Sequence, residues 1–378
     1  MLFKEVIGQE KIKNRLIQTV KDNRVSHAQL FLGPEGSGKL SMALAYAQFI
    51  NCKNKQENDS CGVCPSCVKF NKLIHPDLHF IYPVASTKNI KKPQSKEFIS
   101  NWRNILEKNN YHITLNDWYE EIGIERKQGI INKDDCNEII KTLAYKSYEA
   151  EYKVMFIWMV ERLFHAAAPK ILKILEEPPE KTLFILISEN QDRIINTILS
   201  RTQLVKFPKI TNESLNQALI KKHNCSVDDA HRIVNLSDGN YIEAKNNLYK
   251  NTDDKTNFDN FRNWMRLCYS NNVIEINTFV TDISKIGREK QKQFLSFALK
   301  TTRNCILKNY NNTEMLKLED DELKFVNNFA PFINPANCMQ FSEEFEKAIF
   351  HIERNGNPSI IFMDLSLKVI QLLRIKVK

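Results

Sequence analysis

Seven consecutive residues, Gly33-Pro-Glu-Gly-Ser-Gly38-Lys39, constrain this chain more than any others. They follow an apolar run, Ala28–Leu32 (AQLFL), and precede an apolar-periodic stretch that continues to Ile50. A G-x-x-x-x-G-K body between a strand and a helix is the pattern of a phosphate-binding loop. Its glycines let backbone N–H groups face a phosphate at a helix N-terminus, where negative charge is favoured. Gly33, Gly36, Gly38 and Lys39 are therefore candidate nucleotide-binding residues, with Lys39 directed at the outer phosphates.

A loop of that kind needs a parallel sheet beneath it, and the chain supplies one. Leu78–Tyr82 (LHFIY), Val154–Val160 (VMFIWMV) and Leu183–Ile187 (LFILI) are continuous apolar runs, as expected of strands buried on both faces. Strand and helix signals alternate up to Phe207, which predicts an α/β fold. The polar, basic, partly helical segment 86–128 interrupts that alternation as an insertion. After Phe207-Pro208 only helices are predicted, in a small unit to residue 250 and a larger one over 254–378. Asn357 can cap the last helix with Pro358 at its first position. Ile361, Leu365, Val369, Leu372 and Leu373 then form one apolar stripe, suited to a core or to a partner. At 378 residues the chain has room for two or three domains.

The loop has lost its metal partners. A working loop continues with Ser or Thr, whose hydroxyl binds Mg²⁺; here the next residue is Leu40. The later apolar strand should end on an Asp that supports the metal and a Glu that orients water, but Trp158 and Met159 continue it. Glu161 is the first acid, better suited to opening a helix. Phosphoryl transfer relies on the metal's charge and a positioned water, so no ATP hydrolysis is expected; residual nucleotide binding stays open.

Cys52, Cys61, Cys64 and Cys67 lie in one short polar loop, while the other five of nine cysteines are scattered. That distribution argues against a disulfide framework. Four closely spaced thiolates, with Gly62 and Pro65 to make the turns, favour a closed structural zinc site. His75 and His79 are spare ligands or packing residues.

These segments together resemble the delta-prime subunits of the bacterial DNA polymerase III clamp loader, members of the AAA+ family. The likeness is carried by Val6-Ile-Gly-Gln9, Ser26-His27-Ala-Gln-Leu-Phe-Leu-Gly33, the four cysteines followed by His75-Pro-Asp-Leu-His79, and Tyr152-Lys153-Val154. It continues through Ala167-Ala168, the run Ile171 to Pro179 ending in Leu-Glu-Glu-Pro-Pro, and Asn357-Pro358 to Leu367. It covers most of residues 1–250 and the extreme C-terminus, and is weak in 86–128 and the middle of the helical domain.

The resemblance implies an AAA+ α/β domain (1–207) carrying the zinc module (52–67), a helical lid (208–250) and a helical collar (254–378) that joins a ring. It implies the other clamp-loader subunits (delta, gamma/tau), the sliding clamp and primed DNA as partners. Ser200-Arg201-Thr202 stands where the family carries Ser-Arg-Cys, so Arg201 would be a finger reaching a neighbour's ATP, unless it pairs with an acid of its own chain. In Gly239-Asn-Tyr-Ile242 the sensing Arg of the active motors has become Ile242. The implied function is a delta-prime-type subunit that hydrolyses nothing itself. An active motor of gamma/tau type and a solitary zinc-bearing DNA-binding protein are the alternatives.

Composition adds little. The net charge of +9 suits either a nucleic-acid partner or a mildly basic surface. The first ten residues lack the apolar core of a signal peptide, and no apolar run nears the ~18 residues of a membrane span. A soluble cytoplasmic protein is expected.

Overall fold

The computed structural model describes residues 1–125, 127–248, 252–310, 318 and 320–375. The chain divides into two compact units, Met1–Ile124 with Gln128–Leu248, and Glu125–Lys127 with Tyr249–Lys378. The end expected for the lid, residue 250, lies outside the described residues, whereas the start expected for the collar, residue 254, falls within the helix Thr252–Ser270.

The first unit is a parallel five-stranded sheet flanked by helices. Its elements run α1 (Glu10–Lys21), β1 (Ala28–Leu32), α2 (Lys39–Ile50), α3 (Pro65–Asn71), β2 (Leu78–Ile81), α4 (Ile99–Lys108), α5 (Leu115–Glu121), α6 (Lys133–Ala144), β3 (Lys153–Trp158), α7 (Ala168–Glu176), β4 (Thr182–Ser188), α8 (Asn196–Leu199) and β5 (Gln203–Lys206). The strand order is β2-β3-β4-β1-β5. β1 is thus hydrogen-bonded to β4 on one side and β5 on the other, with Leu30 opposite Leu186 and Leu204. Every residue of β1, β3 and β4 is buried, which is why these strands read as unbroken apolar runs. This is the P-loop α/β fold of the AAA+ class.

α2 is buried on all sides, so it sits inside the unit rather than on its surface. The segment 86–128 is a topological insertion between β2 and β3, yet it supplies core. Trp102 of α4 and Trp118 of α5 are fully buried. Trp102 stacks on Tyr82 at 4.4 Å and meets Trp118 edge-on at 5.2 Å and Trp158 at 5.1 Å. Trp118 Nε1 donates to the Pro83 carbonyl at 2.8 Å, so the indole is buried without an orphaned donor.

α9 (Asn212–His223), α10 (Val227–Ser237) and α11 (Tyr241–Leu248) complete the unit. Thr211 and Ser226 cap the first two through Ser214 N–H and Asp229 N–H.

The second unit is helical: α12 (Thr252–Ser270), α13 (Val273–Ile283), α14 (Arg288–Asn309), α15 (Asp320–Phe329), α16 (Cys338–Glu353) and α17 (Pro358–Leu372). Trp264 is its centre, fully buried among Phe279, Phe294, Phe345 and Phe362. Its Nε1 donates to Ser366 Oγ at 2.9 Å. Asn357 caps α17 by accepting Ser359 N–H. The stripe on that helix is core: Leu365, Val369, Leu372 and Leu373 are buried, with Ile361 packed beside them. Among the described residues no helix is long and apolar enough to cross a membrane.

Candidate functional site

The glycine loop lies between the end of β1 and the start of α2. Gly38 has φ +83°, a left-handed conformation that admits glycine without strain, and it forms the N-terminal boundary of α2. Lys39 is buried, and its ammonium donates to the Pro34 carbonyl at 2.6 Å and to Ser37 Oγ at 3.4 Å. Gln9 ties the loop to the chain beyond β5, donating to Ser37 O at 3.1 Å and Pro208 O at 2.7 Å.

Acids surround Lys39. Glu189, which follows β4, places a carboxylate oxygen 4.0 Å from the ammonium. The Glu189 N–H donates to Glu161 Oε1 at 2.9 Å, so Glu161 is engaged here inside a short 3₁₀ turn over Val160–Arg162. Burial disfavours charge on both partners: it pulls the Lys39 ammonium down and pushes the Glu189 carboxyl up to about 7. Glu35 is also raised by burial, against a hydrogen bond from Asn240.

The metal-binding positions are apolar in three dimensions as well. Leu40, Trp158 and Met159 are all buried. The Trp158 ring is packed on Trp102, and Met159 takes a left-handed backbone at the end of β3 (φ 55°, ψ 55°). None of the three side chains carries an oxygen that could bind Mg²⁺ or orient water.

The stretch before α11 closes on the loop. A Cβ on Gly36 (φ +69°) would lie 1.8 Å from Asn240 Oδ1. Tyr241 N–H donates to Gly36 O at 3.3 Å, and Asn240 Nδ2 donates to Glu35 Oε1 at 3.3 Å. Asn240 Oδ1 also accepts the N–H groups of Ile242 and Glu243, capping α11. The Tyr241 ring packs edge-on against His112 at 4.5 Å, and His112 in turn contacts Ser41 Oγ at 3.3 Å. Ile242 is buried and offers no charge to a phosphate. The sequence alone singles out none of Glu189, Glu35 and Asn240.

The second assembly is the cysteine loop. The sulfurs of Cys52, Cys61, Cys64 and Cys67 all lie within 4.8 Å of one another, with Cys52–Cys61 at 3.5 Å and Cys61–Cys67 at 3.9 Å. Four thiolates bound tetrahedrally at the usual zinc–sulfur distance have edges of about 3.8 Å, so the donor set fits a metal ion. Backbone N–H groups already point at the sulfurs, Cys61 N to Cys52 Sγ and Cys64 N to Cys61 Sγ, each at 3.3 Å. Burial pushes the Cys64 thiol up, but N–H donation from Cys67 and Lys53 and hydrogen bonds from neighbouring thiols outweigh it and bring it down to about 6. No cysteine forms a disulfide. His75 and His79 stand outside the cluster. His75 packs on Phe70 at 4.5 Å and accepts Asp77 N–H at Nδ1.

Ser200 and Arg201 follow α8, away from the glycine loop in sequence and held by a different set of contacts. The Arg201 guanidinium donates from Nε to Glu176 Oε1 at 2.6 Å and from a terminal nitrogen to Thr197 O and Ser200 Oγ at 3.0 and 3.1 Å. The pair is part-exposed, 32% for Arg201 and 47% for Glu176.

Residues 8–211 match the family described as "DNA polymerase III, delta subunit". The chain is 29% identical over 226 residues to DNA polymerase III subunit tau of Bacillus subtilis, covering 60% of this chain and 32% of that protein. It is 26% identical over 236 residues to subunit delta' of the same organism, covering 62% and 58%. The chain therefore matches about a third of the length of tau. A DNA polymerase III gamma subunit-related protein of Thermotoga maritima superposes with a TM-score of 0.38 at 12% identity, covering 97% of this chain and 99% of that one. With the family match spanning more than half of its residues, this chain belongs to the DNA polymerase III, delta subunit family, a family of clamp-loader proteins.

Proposed function

We propose that the chain is a delta-prime-type clamp-loader subunit that hydrolyses no ATP and works through its neighbours. The observation that carries this reading is the apolar character of the metal side of the glycine loop. Leu40, Trp158 and Met159 stand buried where a hydroxyl and two carboxylates would be needed. In-line attack on a phosphate needs the charge of Mg²⁺ and an oriented water, and these side chains supply neither. The closure of Asn240 and Tyr241 over Gly36, with Lys39 turned to Pro34 and Glu189, supports weak nucleotide binding or none.

In this reading residues 1–207 form the AAA+ domain, 208–250 its lid and 254–378 a collar that joins the ring. The partners are the other clamp-loader subunits, the sliding clamp and, through the complex, primed DNA. The four cysteines hold zinc as a structural ion, which cross-links the loop 52–67 when bound. Arg201 acts in trans on a neighbour's ATP, exchanging Glu176 for phosphoryl oxygens, a task suited to its planar, permanently charged fork. Ser200 helps orient it through the contact to Oγ.

A motor of gamma/tau type is the second reading, favoured by the 29% identity to tau against 26% to delta'. One experiment separates the two: turnover of ATP by the isolated chain, with Lys39→Ala as control. No turnover above background supports the delta-prime-type reading. Turnover abolished by Lys39→Ala would establish the motor.

A further inference from the structure

The loop that joins α6 to β3 is solvent-exposed yet fastened at three points. At its start, the buried Lys153 donates from Nζ to the carbonyls of Thr142 and Tyr145. At its end, the carboxylate of Asp77 accepts the N–H groups of Tyr148, Glu149 and Ala150 at 2.6, 2.9 and 2.8 Å. Glu149 then reaches Lys69 Nζ at 2.6 Å and His75 Nε2 at 3.3 Å, tying the loop to α3. Asp77 is only 1% exposed. Burial pushes its carboxyl up, but the three N–H donors outweigh that and leave it below the usual range. Burying a lysine and an aspartate is costly unless each is fully engaged, and here both engage the backbone of one surface loop.

What the loop holds out to solvent is two aromatic rings with lysines around them. Tyr145 is 67% exposed and Tyr148 81% exposed. Lys146 lies between them, Lys141 stands one helical turn before Tyr145, and both are exposed. Lys53, also exposed, is near enough to act electrostatically on Glu149 and His75. Among the described residues none of these three lysines forms an ion pair, whereas the nearby acids Glu149 and Glu151 are paired with Lys69 and Lys181. The local surplus is positive.

We propose that this loop is a docking platform for single-stranded nucleic acid, with Tyr145 and Tyr148 stacking on bases and Lys53, Lys141 and Lys146 meeting phosphates. Stacking on aromatic side chains beside cationic ones is the sequence-tolerant way to hold an unpaired strand. Tyrosine suits it because a rigid ring with two rotatable bonds loses little entropy on contact, and a pre-fastened loop loses little more. The cationic surroundings favour a polyanion over an uncharged protein surface. The proposal goes beyond clamp-loader membership and depends on no nucleotide chemistry.

The test is anisotropy of a fluorescent oligothymidylate of about 20 nucleotides titrated with the intact 378-residue chain at several salt concentrations. Binding should weaken with salt, and Lys146→Gln should lower the logarithmic salt slope by about 0.7, one single-strand phosphate contact. Tyr145→Ala and Tyr148→Ala should each cost roughly tenfold in affinity, while Tyr148→Phe retains it, because the ring and not the hydroxyl stacks. A bromodeoxyuridine oligonucleotide should cross-link to the peptide containing residues 145–148. Melting temperature and metal content of the variants should match wild type, since both side chains are exposed. Absence of salt-sensitive binding, or equal binding by the double alanine variant, overturns the proposal. So does a double variant that binds the strand normally but fails to join other clamp-loader subunits, which would make the loop a protein-docking surface.

Discussion

Glu176 holds Arg201 by its guanidinium, with Glu176 Oε1 2.6 Å from Nε and in contact with a terminal nitrogen as well. The acid comes from the end of α7 and the arginine from the residue pair after α8. A part-exposed pair of this kind contributes about 0–1 kcal/mol to the fold, little enough for Arg201 to change partners on assembly.

If Arg201 is a finger in trans, Arg201→Ala should lower clamp- and DNA-stimulated ATP turnover of the assembled loader. The loss at one site is on the order of 10³–10⁵, and smaller for a ring whose other sites continue. Glu176→Gln removes only the competing partner, so turnover should be preserved or raised. Equal losses from both variants, matched by equal falls in melting temperature, would assign the pair a purely structural role.

Restoring one metal ligand should not restore catalysis. Leu40→Thr returns a hydroxyl, but Trp158 and Met159 still fill the position of the acids and Trp158 remains packed on Trp102. The variant should turn over no ATP in a coupled assay. A Leu40→Thr protein with measurable turnover would show that the acids are supplied from elsewhere, with Glu161, Glu189 and Glu35, which all act electrostatically on Lys39, as candidates.

Metal analysis should find about one zinc per chain, held by Cys52, Cys61, Cys64 and Cys67. Because the ligands must be thiolates and the site closes a loop, binding and local folding are linked. Cys64→Ser should lower both zinc content and melting temperature, and chelation should release cysteines to a thiol reagent. A well-folded preparation without metal, or with an iron–sulfur absorption band, contradicts the assignment.

Acid should destabilise the first unit through buried His112 and half-buried His79. Burial, with Lys222 and Lys245 nearby, holds His112 neutral to about 3, and burial with Lys153 holds His79 neutral to about 4. Both lie below the unfolded value of about 6.5. Between these values the unfolded chain binds more protons than the folded one, so stability rises with pH there and is lost as pH falls below 6.5. The contribution is absent at pH 7.5, where both states are neutral. His112→Phe should cost about 1 kcal/mol at pH 7.5 through the lost Ser41 contact, yet flatten the fall in melting temperature between pH 7 and pH 5.

Truncating Trp102 to Ala should destabilise the first unit by about 3–5 kcal/mol, the range for a fully buried large aromatic. Chemical denaturation of the intact chain measures it, and the loss should appear in the transition that quenches Trp fluorescence. An effect under about 1 kcal/mol would mean that segment 86–128 is an appendage after all.

The parts of this fold that were legible in the sequence are those governed by local pattern. β1, β3 and β4 are buried on both faces and read as apolar runs; Asn357 and Pro358 marked the start of α17 by local backbone chemistry. β5 carries no clear strand signal, because Gln203–Lys206 buries only Val205 fully and looks polar. The core role of Trp102 and Trp118 was hidden for another reason. Their partners Tyr82 and Trp158 are distant in sequence, and helical spacing alone cannot say what an apolar face meets. At the glycine loop the defects Leu40, Trp158 and Met159 were readable as identities. The closure by Asn240 and the approach of Glu189 to Lys39 were not, since each follows from two segments meeting in space. Arg201 was legible as a residue with two possible partners, and the intramolecular one is the contact observed in this chain.

The strand order has a consequence for synthesis of the chain. β1 is synthesised well before its two hydrogen-bonding neighbours, β4 and β5, which span Thr182–Lys206. Until those residues emerge, β1 has no strand to pair with, and α2, buried on every side in the folded unit, has no complete sheet to cover it. At ≈5–20 residues per second, the nascent chain carries this sticky helix and unpaired edge for several seconds or longer. Slowing translation between the codons for Leu32 and Thr182 should lengthen that window and increase chaperone capture, whereas slowing it after the codon for Lys206 should not.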